Sequence, residues 1–479
     1  MSAAPRVFTS PVVGPLDDGQ GQRLIIVSNR LPFAAVEQCG EYWLRPSDGG
    51  LASALRGIHA RSKSLWIGST GTLDVPLFGS ALRKRFAAAR LVDVPVSPDE
   101  VTGFYRRYSN GILWPLLHGM EPPVPADREG WEMYRVVNTR FADVIADHWR
   151  DGDTIWVHDY QLMLLPAMLR ERLPQARIGF FLHTPMPGAA EMERAAEWPD
   201  LAAGMLGADV VGFQTDRDRC RFAGAIPSAI GDATPRLIAC PIGVDYSQFA
   251  GTARRIGVRQ RSTALRESMQ GPLFVGIDRL DYTKGIPERL LAFERLLNFE
   301  PELRHRARFI QVAVPSRDGV GGYDEIRREI ETIVARINDE HATADWQPVE
   351  YRCGAIDTTE LVALYCAADV MVVTSKRDGM NLVAKEFVAS RADGTGVLVL
   401  SRAAGAAEEL KGALLIDPND VESIMTGLRR ALFMSAAERR SRMRRLRDAV
   451  RANDVYGWAD RFLNTLSPPE RVSAGPKRS

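Results

Sequence analysis

The sequence has no long apolar run, no surplus of charge of one sign and no cysteine pairing motif. Its 61 Lys and Arg residues nearly balance 60 Asp and Glu, so the net charge of +1 lacks the basic footprint of a nucleic-acid-binding protein. The apolar stretch Leu162–Leu169 is interrupted by Pro166 and is too short to span a membrane. Residues 1–22 contain Pro, Gly and acidic residues but no apolar signal core, and are predicted to form a flexible leader. These absences predict a soluble, cytoplasmic protein.

The cysteine and histidine patterns exclude two further classes of protein. The five cysteines are odd in number and contain no C-x-x-C pair, which argues against a disulfide framework or a zinc ribbon. The seven histidines include no H-E-x-x-H motif. We therefore expect no metal site built from protein ligands alone. No cofactor is expected besides the substrates.

What the sequence does contain is an alternation of short apolar runs with amphipathic, helix-period segments. Continuous apolar strands separated by helices predict parallel sheets covered on both faces, which is an α/β fold. The predicted strands are Arg23–Ser28, Thr154–His158, Ile178–His183, Val210–Gln214, Leu273–Ile277, Arg308–Val314, Val349–Cys353, Val370–Thr374, Val397–Ser401 and Leu414–Ile416. Predicted helices include Gln161–Arg172, Pro287–Asn298, Tyr323–Asn338 and Val421–Met434.

The strand series restarts after the turn-rich segment Cys240–Gly251, which predicts a domain boundary. We expect two doubly wound, Rossmann-like domains that face each other across a central cleft, at residues 23–245 and 246–453. Residues 454–466 are predicted to form a helix that packs back on the first domain, and residues 467–479 a flexible tail.

Candidate binding residues follow the predicted strands. Arg30 ends the first strand in VSNRLP, and Gly49 and Gly50 precede a helix, where glycines let the backbone approach an anion. Taken alone, a Gly-Gly pair more often only turns the chain. Arg279 and Lys284 in RLDYTKG are placed to reach one dianionic group, although a surface loop paired with Asp278, Asp281 and Glu288 is the alternative.

Other candidates carry a similar mixture of charge and aromatic groups. Asp378 and Glu386 lie in RDGMNLVAKE after a strand, where a helix N-cap and a solvent-exposed glutamate are equally good interpretations. Asp159 and His183 stand at strand ends, where a lone histidine is more often structural. The segment Tyr105–Pro115 is either core or a sugar-facing rim, and Arg317 follows another strand. Together, these groups suit phosphorylated sugars and nucleotide sugars.

In order along the chain, the motifs VSNRLP, SNGILWP, HDYQL, RLDYTKG, PSR and RDGMNLVAKE resemble the trehalose-6-phosphate synthase family of retaining glucosyltransferases. The resemblance runs from about Arg23 to about Leu466 and implies the GT-B fold. It also implies glucosyl transfer from a nucleoside diphosphate glucose, with UDP-glucose as the expected donor, to glucose 6-phosphate. The product would be α,α-trehalose 6-phosphate.

The resemblance assigns roles to individual residues. For the acceptor, glucose 6-phosphate, it implies Arg30, Tyr105, Trp114, Asp159 and Arg317. For the donor it implies Gly49, Gly50, His183, Arg279, Lys284, Ile356, Asp378, Leu382, Val383, Ala384, Lys385 and Glu386. The groups expected to act directly in catalysis are Arg279, Lys284, Asp159, His183 and Asp378. The chain departs from the family pattern at Thr184 and Met186, beside the sugar.

The implied chemistry is metal-independent. Arg279 and Lys284, with helix N-terminal amides, would stabilise the departing diphosphate, and no enzymatic nucleophile is implied. The DxD patterns at Asp151–Asp153 and Asp216–Asp218 suggest a metal, but one precedes a strand and the other begins a helix. A glucosyltransferase for another acceptor, such as glycerol 3-phosphate, or a catalytically silent sugar-phosphate sensor remains as an alternative. The donor base and a dimeric or tetrameric state are left open.

Overall fold

The computed structural model describes residues 23–38, 41–46, 50–70, 80–122, 127–227, 235–315 and 322–467. The strands are β1 (Leu24–Arg30), β2 (Phe33–Gln38), β3 (Glu41–Pro46), β4 (Leu65–Ser69), β5 (Leu91–Asp93), β6 (Thr154–His158), β7 (Arg177–Phe181), β8 (Val210–Phe213), β9 (Arg236–Ala239), β10 (Leu273–Arg279), β11 (Arg308–Val314), β12 (Val349–Cys353), β13 (Val370–Val373), β14 (Val397–Ser401) and β15 (Leu414–Ile416).

The α-helices lie between and after these strands. They are α1 (Gly50–Ser62), α2 (Ser80–Ala88), α3 (Pro98–Glu100), α4 (Trp114–Leu117), α5 (Arg128–His148), α6 (Leu165–Arg172), α7 (Ala189–Met192), α8 (Trp198–Leu206), α9 (Asp216–Ala225), α10 (Tyr246–Ala253), α11 (Ile256–Glu267), α12 (Ile286–Phe299), α13 (Tyr323–His341), α14 (Thr358–Ala367), α15 (Leu382–Ser390), α16 (Val421–Leu432), α17 (Ala436–Ala452) and α18 (Val455–Leu466). The segment Val101–Leu113 is wound as a π-helix.

Two parallel sheets form the centres of the two halves of the chain. The first has the order β5-β4-β1-β6-β7-β8-β9 and the second the order β12-β11-β10-β13-β14-β15. In each sheet the chain begins at a central strand, adds strands to one side and then adds strands to the other. The strand order reverses between β1 and β6 in the first sheet and between β10 and β13 in the second. Both are doubly wound, as the sequence predicted, and ligands bind at such reversal points.

The central strands of both sheets are apolar on both faces, as is typical of parallel sheets. The first six residues of β1 and of β10 are buried, and only the terminal arginine of each strand is exposed. Helices cover the two faces, and apolar side chains such as Ile25, Val27 and Phe274 are fully buried. Each exposed arginine therefore stands at the carboxyl edge of its sheet.

The chain crosses between the domains twice, at Cys240–Asp245 and near Asn453. A Cβ atom on Gly243 would lie 2.1 Å from the carbonyl oxygen of Asn453, so the two crossings pack too closely for any side chain there. The Val455 N–H donates to the Val244 oxygen at 3.2 Å. Beyond this point α18 packs on β7 and β8 of the first sheet. The C-terminal helix therefore ties the second crossing to the first domain.

Some elements differ from the sequence prediction. The antiparallel hairpin β2–β3 and the short strands β4, β5 and β9 were not predicted, because they are short or only partly apolar. Helix α6 begins at Leu165 rather than Gln161, since Asp159 has a positive φ of 76° and Pro166 fits only the first turn of a helix. Among the described residues, no helix is both long and apolar enough to cross a membrane.

Candidate functional site

The N-termini of two helices, one from each domain, approach each other closely in the cleft. Helix α1 begins at Gly50 and α15 at Leu382, and a Cβ atom on Gly50 would lie 2.9 Å from Cδ1 of Leu382. The free N–H groups and dipoles of such helix ends favour a bound anion. The cleft thus offers anion-binding backbone from both domains. Gly49 lies outside the described residues.

The predicted basic pair lies at and after the end of β10, in two different settings. Arg279 ends β10 with its side chain exposed, and its guanidinium carbon lies 5.3 Å from the centre of the Trp114 ring. Lys284 is 8% exposed and its Nζ donates to Oδ2 of Asp378 at 2.6 Å. The surface-loop alternative is wrong for Lys284, because that ammonium is buried in the cleft.

The acidic residues of the surface-loop alternative have other partners. Asp278 pairs with Arg289 at 2.6 Å, and Glu288 pairs with Lys376 at 2.7 Å. The carboxylate of Asp281 accepts the Thr283 N–H at 3.0 Å and so caps the turn Tyr282–Lys284.

Asp378 is held as a carboxylate by several donors. Oδ2 accepts hydrogen bonds from Lys284, from Ser375 Oγ at 3.1 Å and from Asn381 Nδ2 at 3.2 Å. Burial raises the pKa of Asp378, but the Lys284 charge and the Asn381 hydrogen bond outweigh it and hold the pKa below its usual range. The N-cap interpretation of Asp378 is wrong, since Asn381 caps α15 by accepting the Ala384 N–H.

Glu386 follows on the same helix and is not a solvent-exposed glutamate. It is partly buried, and the Tyr365 hydroxyl donates to its Oε2 at 2.8 Å. Burial raises the pKa of Glu386 to about 7 despite this hydrogen bond. A carboxylate in this position is suited to accept hydrogen bonds from sugar hydroxyls.

Within the predicted donor-binding run Leu382–Glu386, the side chain of Lys385 points away from the cleft. The Nζ of Lys385 donates to the Ile242 carbonyl oxygen at 2.7 Å and pairs with Glu409, with 1% of the lysine side chain exposed. The lysine thus reaches the domain crossing, because its helical position points away from the N-terminus of α15. Leu382 and Val383 are partly buried and Ala384 is fully buried. The Lys385 side chain therefore points away from the cleft, and only its backbone remains near the N-terminus of α15.

A glycine brings the loop before α15 against His183. A Cβ atom on Gly379 would lie 2.0 Å from the His183 carbonyl oxygen, and one on Gly405 would lie 1.9 Å from the Gly379 oxygen. No side chain fits between these three backbone segments. The loop that carries Asp378 is thereby placed directly beside the end of β7 in the other domain.

The predicted acceptor residues gather on the first domain. The Arg30 guanidinium carbon lies 5.3 Å from the centre of the Tyr105 ring. Trp114 is buried, with its ring centre 5.5 Å from that of Tyr160. The core interpretation of Tyr105–Pro115 applies from Tyr108 onward, while Tyr105, Arg106 and Arg107 are at least partly exposed. Arg317 lies outside the described residues.

Asp159 directly follows β6 and lies between the predicted acceptor residues and His183 of the predicted donor residues. Its φ of 76° is an uncommon conformation for a residue with a side chain, and such strain clusters at functional sites. Its N–H donates to the Phe181 oxygen at 2.8 Å, and its Oδ1 accepts the His183 N–H at 3.2 Å. The carboxylate is thus fixed against the start of the His183 loop.

Both ring nitrogens of His183 have protein partners. Nε2 lies 3.1 Å from Nδ1 of His158, and Nδ1 lies 3.1 Å from Nε2 of Gln214. Burial lowers the pKa of His183 to about 3, so the ring is neutral at pH 7. Of the two departures from the family pattern, Thr184 and Met186 are both buried, and the Met186 N–H donates to Asp218.

Ile356 stands apart, in a depression of about 310 Å³ beyond β11 and β12. Its lining includes Arg261, Arg352 and Glu360, and Glu360 pairs with both arginines. The depression lies at the carboxyl edge of the second sheet, where its mixed lining suits a planar polar group.

Both DxD patterns serve local structure. Asp153 pairs with Arg23 at 2.6 Å. Asp218 accepts the Thr215 hydroxyl at 2.6 Å at the start of α9, and Asp216 pairs with Arg219.

Sequence reasoning missed several polar residues in the cleft. Asn381 orients Asp378, and Gln214 contacts His183. His118 is buried below Trp114, to whose carbonyl oxygen its Nδ1 donates at 2.7 Å. Arg377 pairs with Glu191 of the other domain at 3.4 Å. Asn381 and Arg377 lie within the RDGMNLVAKE motif, which was the available signal.

Comparison with known proteins gives a family match over most of the chain. The model of glycosyltransferase family 20 matches residues 22–468. A bifunctional trehalose-6-phosphate synthase/phosphatase from Thermoproteus tenax is 40% identical over 93% of the chain. The chain spans 63% of that protein's length.

Solved structures are similar over the same region. A UDP-forming α,α-trehalose-phosphate synthase from Burkholderia xenovorans in complex with glucose-6-phosphate is 34% identical, with a TM-score of 0.81 over 93% of this chain and 99% of that one. A second structure, from E. coli and bound with UDP-2-fluoro glucose, is 33% identical, with a TM-score of 0.82 over 93% of this chain and 99% of that one. Both domains and the cleft between them fall within the matched region.

Proposed function

Because the chain belongs to glycosyltransferase family 20, we propose that it transfers glucose from a nucleoside diphosphate glucose to glucose 6-phosphate, forming α,α-trehalose 6-phosphate. The observation that carries this proposal is the close approach of the N-termini of α1 and α15, where a Cβ atom on Gly50 would lie 2.9 Å from Cδ1 of Leu382. The names and ligands of the similar structures support the same reaction. We propose that the nucleoside diphosphate of the donor is UDP.

The donor diphosphate would lie between the helix ends, with Arg279 and Lys284 beside it. Charge on this group grows as the glycosidic bond breaks, so fixed positive charge stabilises the transition state more than the bound substrate. Asp378 holds Lys284 in place and would accept hydrogen bonds from the glucosyl hydroxyls. We propose that these groups replace a metal ion.

The acceptor would lie against the first domain, with its phosphate on Arg30 and its sugar near Trp114 and Asp159. Its anomeric hydroxyl oxygen would attack the glucosyl carbon from the face that the diphosphate leaves. The carbon–oxygen bond to the β-phosphate breaks, and the hydroxyl proton passes to that phosphate oxygen. This course retains the anomeric configuration and requires no enzymatic nucleophile.

The test is product formation with defined donors. We expect the purified protein, incubated with glucose 6-phosphate and each of UDP-, ADP- and GDP-glucose, to form trehalose 6-phosphate fastest with UDP-glucose, as measured by mass spectrometry. Product with glycerol 3-phosphate but not with glucose 6-phosphate would support the other acceptor. Binding of both substrates without turnover would support the sensor, although the chain retains Arg279, Lys284, Asp378 and Glu386.

We also propose a cytoplasmic location and a homo-oligomeric state. The free cysteines Cys220, Cys240, Cys353 and Cys366 suit a reducing compartment. Light scattering after size-exclusion chromatography would measure whether the protein is a dimer or a tetramer.

A further inference from the structure

A line of hydrogen bonds connects the cleft histidine to the first domain crossing through Gln214. This residue follows β8 and is 2% exposed. Its Oε1 accepts the Ile242 N–H at 3.0 Å, and its Nε2 lies 3.1 Å from Nδ1 of His183. On the far side of the ring, His183 Nε2 lies 3.1 Å from Nδ1 of His158.

This geometry decides which atoms carry protons. A backbone N–H only donates, so the amide oxygen of Gln214 must face Ile242 and its NH₂ group must face His183. An amide NH₂ group also only donates, so Nδ1 of His183 must accept and carries no proton. The proton of the neutral ring is then on Nε2 and is donated to Nδ1 of His158.

We propose that Gln214 is a positioning residue that fixes His183 as the neutral Nε2–H tautomer, and this inference rests on the glucosyl transfer proposed above. A protonated His183 would direct an Nδ1–H at the NH₂ of Gln214, which is a contact between two donors. In this neutral ring the Nδ1 lone pair accepts from Gln214 and the Nε2–H is donated to His158, so no lone pair is open to take a proton. His183 is therefore a hydrogen-bond donor and not a general base, which leaves the phosphate to take the acceptor's proton.

Burial of the ring is consistent with this assignment. It lowers the pKa of His183 to about 3 and that of His158 well below its usual value. The network also reaches the donor side, since the Ile242 carbonyl oxygen accepts from Lys385 on α15. The backbone of Ile242 thus contacts both Gln214, through its N–H, and Lys385 of α15, through its carbonyl oxygen.

The first experiment records the tautomers in the wild-type protein. Selective ¹⁵N labelling of the seven histidines and long-range ¹H–¹⁵N spectra at pH 7 report which ring nitrogen is protonated. Loss of one signal set in His183→Gln assigns that residue. His118 is the internal reference for the opposite form, because its Nδ1 donates to the Trp114 carbonyl oxygen. We expect Nε2–H at His183, and an Nδ1–H or imidazolium signal would overturn the proposal.

The second experiment inverts the predicted constraint with Gln214→Glu. A carboxylate accepts from Ile242 and also favours a proton on Nδ1 of His183. We expect the His183 signal to change to Nδ1–H or imidazolium, and kcat/KM for the nucleotide sugar to fall about 10- to 100-fold, the loss typical of residues that orient metal-bound histidines. Gln248→Glu, at an exposed position on α10, is the charge-matched control and should change neither property.

The outcomes separate the positioning role from the reaction. An altered His183 signal with unchanged kcat/KM would reject the positioning role while leaving glucosyl transfer intact. The expected wild-type spectrum in a protein that forms no disaccharide phosphate would reject the reaction and hence the role assigned here. If Gln214→Glu does not fold, as judged by circular dichroism, the wild-type spectrum alone decides the tautomer.

Discussion

The guanidinium of Arg289 and the carboxylate of Asp278 lie 2.6 Å apart inside the second domain, with 0% and 2% of their side chains exposed. Arg289 also donates to the Lys284 carbonyl oxygen at 3.1 Å and to Thr374 Oγ1 at 2.8 Å. Thr374 in turn donates to the Gly285 oxygen at 2.8 Å. The backbone that carries the cleft lysine is therefore anchored to a buried ion pair.

This anchoring predicts a combined loss of stability and turnover in Arg289→Met. The substitution leaves the Asp278 carboxylate buried and unpaired, which costs about 3–5 kcal/mol in the free energy of unfolding. We also expect kcat to fall more than the donor KM rises, because Lys284 loses its support. Urea denaturation and steady-state kinetics measure the two effects. Arg295→Met on the same helix is the control, since its pair with Glu422 is exposed and should contribute about 0.5 kcal/mol or less.

The acceptor assignment predicts a selective loss in Arg30→Ala. Charge-assisted hydrogen bonds from a guanidinium to phosphate contribute about 1.5–3 kcal/mol, so we expect the KM for glucose 6-phosphate to rise roughly 10- to 100-fold. The donor KM should change little. From the family resemblance, we expect Arg317→Ala to raise the KM for glucose 6-phosphate in the same way as Arg30→Ala. Arg106→Ala, an exposed neighbour of Tyr105, is the control. Unchanged saturation by glucose 6-phosphate in both variants would reject the acceptor site.

The proposed charge stabilisation by Arg279 and Lys284 predicts that activity survives removal of metal ions. We expect the initial rate in excess EDTA to match the untreated rate within error, because the diphosphate is neutralised by protein groups. Readdition of Mg²⁺ should have no effect. A rate lost in EDTA and restored by Mg²⁺ would contradict this mechanism.

Much of this arrangement follows from sequence patterns alone. The strands β6, β11, β12, β14 and β15 match their predicted bounds, and in β14 and β15 a continuous apolar run leaves little ambiguity. Placing polar motifs after such strands brings them to one sheet edge, which is why Arg30 and Arg279 were found as candidates.

The partners of these residues could not be predicted in the same way. The pair Lys284–Asp378 and the contact between Gln214 and His183 join residues far apart in sequence. The same is true of the Lys385 side chain, which points from α15 to the crossing segment and not into the cleft. Such contacts depend on how two folded domains pack, and local periodicity does not encode that.

The raised pKa of Glu386 predicts a pH-dependent affinity for the donor. The carboxyl titrates near pH 7 instead of 4.5, so it is largely protonated at pH 6 and ionised at pH 8. If the ionised form accepts sugar hydroxyls, the Kd for UDP should be weaker at pH 6 than at pH 8. Isothermal titration calorimetry measures this, and Glu386→Gln should abolish the pH-dependent part. An equal pH dependence in wild type and variant would assign it to another group.

The same shift has a consequence for stability, with the opposite sign. Because the folded-state pKa is raised, the folded protein binds more protons than the unfolded chain between pH 4.5 and about 7. The contribution of Glu386 to the free energy of unfolding therefore falls as the pH rises through this window. Glu386→Gln should stabilise the protein at pH 8 relative to wild type and have little effect at pH 4.5, as measured by urea denaturation.

The last prediction concerns the two cations of the cleft. The attraction of Arg279 and Lys284 to the diphosphate exists in the bound substrate but grows as charge moves onto the β-phosphate, and only the increase accelerates the reaction. Removal of one such stabilising group typically lowers kcat by about 10²–10³-fold, or ~3–4 kcal/mol. We expect Arg279→Ala to show this loss with a smaller rise in donor KM.

Lys284→Ala should behave similarly in kcat but differ in stability. Arg279 is exposed, so its removal should change the free energy of unfolding by about 0.5 kcal/mol or less. Removal of the Lys284 ammonium, in contrast, leaves the buried Asp378 carboxylate without its counter-ion and should lower the melting temperature. The double variant should lose less than the sum of the two single losses, because both charges face one group. A folded Arg279→Ala protein with a kcat near that of wild type would refute the assignment, since an exposed arginine that only packs on Trp114 has no means of affecting turnover.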